Sequence, residues 1–140
     1  MIEIIEHRES DKESLYNLFS KLRKAVYNDA SSSKSDFLRE TEGEEILVAL
    51  CDKDIVGFVS VWVADNFVHH LYVEEKYQNR KIGTLLLRSV IAKTGIPLRL
   101  KCVEANTKAI EFYRKKGFIE KGRGQTESGP YILFELQKLI

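Results

Sequence analysis

Apolar positions change period several times along the chain, and each change marks an element. Ile2, Ile4 and Ile5 read as a first strand. Ser10-Asp11-Lys12-Glu13 has capping-box spacing, and Leu15, Leu18, Phe19, Leu22 and Val26 then recur on one helical stripe. Residues 30–44 are polar, which predicts a loop with a short helix around Phe37 and Leu38. Residues 45–51 and 55–64 are apolar strands joined by the turn Asp52-Lys53-Asp54, so a hairpin is expected. Asp65-Asn66 turns the chain again into an antiparallel third strand at residues 67–73.

The helical period returns at Ile82, Leu85, Leu86, Val90 and Ile91, and Gly95-Ile96-Pro97 stops it. Residues 98–103 alternate as a strand. Residues 106–116 read as a helix with Ala109, Ile110 and Tyr113 on one side. Gly117 suits its left-handed C′ position, with Phe118 as the apolar C″ partner. Residues 118–121 and 131–137 are expected to close the sheet as a hairpin around a polar loop at 122–130. The order β-α-(α)-β-β-β-α-β-α-β-β predicts an α/β fold, a mixed sheet with helices on both faces. With no repeat and no linker, residues 1–140 are expected to form one domain.

Composition narrows the function classes. Twenty-two basic and 21 acidic residues leave a net charge of +1 in 140 residues, so no global field argues for nucleic acid or an anionic membrane. No apolar run approaches the roughly 18 residues of a spanning helix. The acidic start, Met1-Ile2-Glu3-Ile4-Ile5-Glu6, lacks the basic region of a signal peptide, and a cytoplasmic location is expected. Cys51 and Cys102 lie in apolar stretches and read as buried thiols. No metal is expected.

The chemistry concentrates between residues 71 and 87. A strand ending Leu71-Tyr72-Val73 runs into the basic, amide-rich Gln78-Asn79-Arg80-Lys81, then Ile82-Gly83-Thr84 opens a helix. Free N–H groups at a helix N-terminus, its dipole and adjacent cations make an anion site suited to a diphosphate.

Gln78-Asn79-Arg80-Lys81-Ile82-Gly83-Thr84 resembles the Q/R-x-x-G-x-G/A loop of the GCN5-related N-acetyltransferase (GNAT) family. Asn106-Thr107-Lys108-Ala109-Ile110-Glu111-Phe112-Tyr113-Arg114-Lys115-Lys116-Gly117-Phe118 is similar to that family's second signature. The element order resembles the family over nearly the whole chain. One position departs: Lys81 stands where the loop has its first glycine. A left-handed conformation there would cost roughly 1 kcal/mol.

The resemblance implies a GNAT-like acyl-CoA N-acyltransferase fold and an enzyme that moves an acetyl group from acetyl-CoA to an amine. It implies that the CoA diphosphate rests on the amides of residues 79–84. The pantetheine arm would pair with the strand end at Leu71, Tyr72 and Val73, provided residues 98–104 splay away from it. It maps the acid for the leaving thiolate onto Tyr113 and the oxyanion donor onto a backbone N–H near Leu71. Asn106 is expected to cap its helix, to contact the cofactor or an ordered water, or to do both. The base would come from the same strand, where His69 and His70 titrate. His69 is preferred, because strand alternation puts it on the face of Leu71 and Val73. A small-molecule or peptide amine is the expected partner, and a homodimer through the closing hairpin is an open expectation. The alternatives are a non-catalytic acyl-CoA sensor and a protein-interaction domain using residues 30–44 and 122–130.

Overall fold

The computed structural model describes residues 1–27 and 34–140, without the side chains of Val26 and Tyr27. Seven strands form one sheet in the order β1-β2-β3-β4-β5-β7-β6. The strands are β1 (Ile2–Glu6), β2 (Glu45–Cys51), β3 (Asp54–Trp62), β4 (Phe67–Val73), β5 (Leu98–Val103), β6 (Ile119–Thr126) and β7 (Gly129–Leu136). All neighbours are antiparallel except β4 and β5.

Helices cover both faces, which is why β2 reads as a continuous apolar run. Helices α1 (Lys12–Tyr27) and α2 (Lys34–Glu40) pack on one face. There Leu15, Leu18, Phe19 and Phe37 meet Ile46, Val48, Leu50 and Phe58. Helix α3 (Ile82–Thr94) lies on the other, burying Ile82, Leu86, Leu87 and Val90 against Leu47, Val59 and Val61. The predicted stripe of α1 is therefore its buried face, though Val26 lies outside the described side chains. Phe37 anchors α2, whereas Leu38 is exposed. Residues 30–33 of the expected loop also lie outside the described residues.

Three local expectations are corrected. The Ser10–Glu13 capping box does not start α1. A short 3-10 turn (Glu9–Asp11) precedes the helix, and the buried Asp11 carboxylate accepts from the Arg8 backbone N–H at 2.7 Å and its guanidinium at 3.0 and 3.1 Å. β3 ends at Trp62, because a 3-10 turn (Val63–Asp65) takes the next residues. Residues 122–130 are not a loop: β6 continues to Thr126, and β7 starts at Gly129. β6 is the outermost strand and mostly exposed, so it has no apolar alternation to read. A bulge between Glu120 and Gly122 breaks the period further.

Helix α4 (Thr107–Lys115) ends as its sequence predicts. Gly117 has φ +99°, its N–H donates to Arg114 O, and Phe118 N–H donates to Tyr113 O, each at 3.0–3.1 Å. That is a Schellman ending, with Phe118 edge-on to Tyr113 at 5.3 Å between ring centroids as its apolar contact. It holds Tyr113 against Phe118 and Phe134 in the core.

Candidate active-site cleft

The parallel pair β4–β5 parts almost as soon as it forms. Only Phe67↔Arg99 and Val68↔Leu100 are in register. Beyond them Leu71 and, across the gap, Lys101, Cys102 and Val103 line a cleft. Glu74 N–H donates to Val56 O on β3 at 2.8 Å. Hydrogen-bonding direction alternates along a strand, so the backbone groups of Leu71 and Val73 point to the opposite edge, the one β5 has left. The splay that the resemblance requires is present, and it leaves a strand edge open to an added strand. One of its acceptors is engaged: Gln78 Nε2 donates to Val73 O at 3.0 Å. The Tyr72 side chain faces the other way. It borders an open depression with Lys21, Lys24 and Glu74, and burial raises its phenol pKa.

The strand end leads into the α3 N-terminus. The first helical hydrogen bond runs from Leu85 N–H to Lys81 O, and no side chain caps the helix. The amides of Ile82, Gly83 and Thr84 precede that bond and have no intrahelical acceptor. Asn79 and Lys81 are both left-handed, at φ +66° and +64°. Lys81 thus adopts the conformation that glycine takes without strain. Arg80 lies over the Tyr77 ring at 5.3 Å. A Cβ on Gly83 would come within 3.1 Å of Phe112 Cζ, so this glycine lets α4 approach α3 closely.

Asn106 caps α4, its Oδ1 accepting from Ala109 N–H at 3.3 Å, and it also lines the cleft. Tyr113, on the same wall, is only 7% exposed. Cys102 also lines the cleft, and burial pushes its thiol pKa up to about 11.

The two histidines stand at the mouth of the splay. The β3–β4 register slips there: Ser60 pairs with His70, but Val61 pairs with Val68. His69 is the extra residue of a bulge, so alternation alone does not fix where its ring goes. Its ring sits 4.2 Å from that of His70, although successive strand residues ordinarily point apart. Both rings line the cleft with Leu71 and Tyr113. His69 Nδ1 is 3.0 Å from Glu44 Oε2, and that hydrogen bond raises its pKa. His70 Nδ1 bonds Ser60 Oγ at 2.8 Å, and Nε2 is 3.4 Å from Glu40 Oε1. Burial lowers the His70 pKa, which favours a neutral ring. Ser60 was not singled out from sequence, though a hairpin register would pair it with this strand. Glu40 and Glu44 belong to no sequence motif, and only the folded chain brings them to the histidines.

The cleft therefore joins an open strand edge, an uncapped helix N-terminus, a buried phenol and two imidazoles. The model of the acetyltransferase (GNAT) domain family matches residues 42–120. The chain belongs to the GNAT acetyltransferase family. The match spans β2 through the end of α4, so it includes both motifs.

Solved structures share the fold. A GNAT-family acetyltransferase from Staphylococcus aureus Mu50 superposes with a TM-score of 0.75 at 24% identity, over 98% of this chain and 100% of that one. PaiA N-acetyltransferase from Thermoplasma acidophilum, solved with coenzyme A, gives 0.76 at 24% identity, covering 97% and 99%. The ribosomal-protein-S18-alanine N-acetyltransferase of Escherichia coli gives 0.77 at 20%, covering 100% and 96%. No curated protein sequence matches the chain. Among the described residues, no helix is long and apolar enough to cross a membrane.

Proposed function

We propose that this protein transfers the acetyl group of acetyl-CoA to a primary amine by direct attack, with both substrates bound at once. The observation that carries the reading is the open edge of β4 followed, after a 3-10 turn (Glu75–Tyr77) and a short loop, by the uncapped N-terminus of α3. A pantetheine arm needs the first and a diphosphate needs the second. Acetyl-CoA supplies the activated thioester; the chain's own residues bind, orient and move protons.

Leu71 and Val73 pair with the pantetheine amides through their backbone groups. The amides of residues 79–84 hold the diphosphate, with Arg80 and Lys81 adding charge and Gln78 bracing the end of β4. Each exposed helix-end contact is worth only about 0.3–1 kcal/mol, so several amides act together. Asn106 fixes the start of α4 and so the height of Tyr113 in the cleft. Tyr113 donates the proton taken by the departing thiolate. An amine of pKa about 10.4 must lose a proton first, at roughly 4–5 kcal/mol at neutral pH. His69 takes that proton, and Glu44 orients its ring and stabilises the charge it gains. The acceptor enters beside Glu40 and Glu44, whose carboxylates suit a cationic amine.

Calorimetry with acetyl-CoA, followed by a thiol-release assay across small amines and peptides, tests the proposal. Binding with amine-dependent thiol release is expected. Absence of binding at millimolar acetyl-CoA would sink it. Tight binding without release from any acceptor would favour an acyl-CoA sensor instead.

A further inference from the structure

We propose that Glu40, His69 and His70 form a site for one divalent transition-metal ion, best fitted to zinc. One donor atom from each lies within 4.8 Å of the other two. His70 Nε2 and Glu40 Oε1 are 3.4 Å apart. Two ligands of a tetrahedral zinc, each bonded at 2.0–2.1 Å, stand roughly 3.3 Å apart. That pair is already at ligand spacing, and His69 is the group that closes in.

The second argument is how the rings are held. A metal-binding histidine usually has its other nitrogen on an oxygen, which fixes ring orientation and tautomer. Both rings meet that condition. Glu44 Oε2 holds His69 Nδ1 at 3.0 Å, and Ser60 Oγ holds His70 Nδ1 at 2.8 Å. His70 Nε2 already faces Glu40, and His69, whose ring also meets the Glu40 backbone, exchanges that contact for the ion. The Ser60 hydroxyl both donates and accepts, so it tolerates a proton on His70 Nδ1. The β4 bulge makes the arrangement possible by bringing consecutive imidazoles together.

The third argument is an unpartnered carboxylate oxygen. The Glu44 side chain is 6% exposed, and its Oε1 has no hydrogen-bond partner among the described residues. A buried carboxylate oxygen without a partner is costly, and a cation bound to the adjacent ring offsets that cost. Arg23 stands 4.0 Å from Glu40, so an ion shares that carboxylate with a guanidinium. Two imidazoles and a carboxylate suit zinc better than calcium or magnesium. Three protein ligands leave a fourth position, and His69, 39% exposed, leaves the site within reach of solvent.

Binding of the ion does not depend on acetyl transfer. If the transfer proposal holds, the ion occupies the His69 lone pair and acts as an inhibitor rather than a cofactor. The test uses the full, chelator-treated chain titrated with zinc chloride by calorimetry, and with cobalt(II) by visible absorption. One zinc per chain at micromolar affinity or tighter is expected, with the intense cobalt bands of a tetrahedral complex. Glu40→Gln and His69→Asn should each weaken binding about tenfold or more, and Glu44→Gln about tenfold through ring orientation. His7→Asn, which removes the third histidine, should change nothing. No zinc binding at millimolar concentration would overturn the site. So would binding that survives Glu40→Gln and His69→Asn, or that His7→Asn abolishes. Acetyl-CoA titration of the same samples separates failure of this site from failure of the transfer reading.

Discussion

The two ends of the cleft are built from different material. The α3 end is made of backbone: amides 82–84, the edge groups of Leu71 and Val73, and two left-handed residues in the loop. The β4-bulge end is made of side chains from three elements: Glu40 of α2, Ser60 of β3 and the two histidines of β4, with Glu44 beside them. A backbone site needs one continuous run of residues, and that run was readable as a motif. A side-chain site needs register, and register shows only once the sheet is assembled.

Tyr113 belongs to neither end and tests whether they act as one site. Tyr113→Phe keeps the ring among Phe112, Phe118 and Phe134 but removes the hydroxyl. The expected outcome is a fall in kcat of about 10²–10⁴-fold, the range of a lost general acid, with acetyl-CoA affinity little changed. Steady-state kinetics beside calorimetry checks it. A loss of affinity with turnover intact would place the phenol in the binding half alone.

Gly83 probes the packing under the backbone end. Gly83→Val must displace the Phe112 ring, which stacks 5.4 Å from Tyr113. Overpacking of this kind costs about 1–3 kcal/mol, read from urea unfolding. Phe112→Ala in the same chain should recover part of that cost, because the two sites touch. Strict additivity would show that the α3–α4 contact is not what Gly83 serves. Asn106→Ala should cost about 1 kcal/mol through the lost cap. If it also lowers turnover while acetyl-CoA affinity holds, the cap positions Tyr113.

Much of the fold was legible for the same reason as the motif. β2, β4, β5, α3 and α4 carry strong local periods and punctuation. The splay of β4 from β5 was expected, but only because the resemblance demanded it. What failed was what tertiary context decides. β6 pairs at the sheet edge with no apolar signal of its own. Asp11, not Ser10, organises the start of α1, because a buried carboxylate can gather both the backbone and the guanidinium of Arg8. The face argument for His69 assumed an unbroken pleat. A one-residue slip between Ser60 and Val61 set both imidazoles side by side and drew Glu40 and Glu44 into the cluster.

Lys81 offers the finest test of the backbone end. Its φ of +64° is the one place where the sequence conflicts with the geometry the loop requires. Lys81→Gly removes the left-handed strain, worth roughly 1 kcal/mol, against a larger loss of chain freedom on folding. A net gain of about 0.5 kcal/mol in unfolding free energy is expected. Acetyl-CoA affinity should move the other way, by about 0.3–1 kcal/mol, if the ammonium reaches a phosphate. That loss should fade as salt rises, because the contact is exposed. Stability and affinity rising together would mean that the lysine contributes only its amide, and that the backbone alone holds the diphosphate.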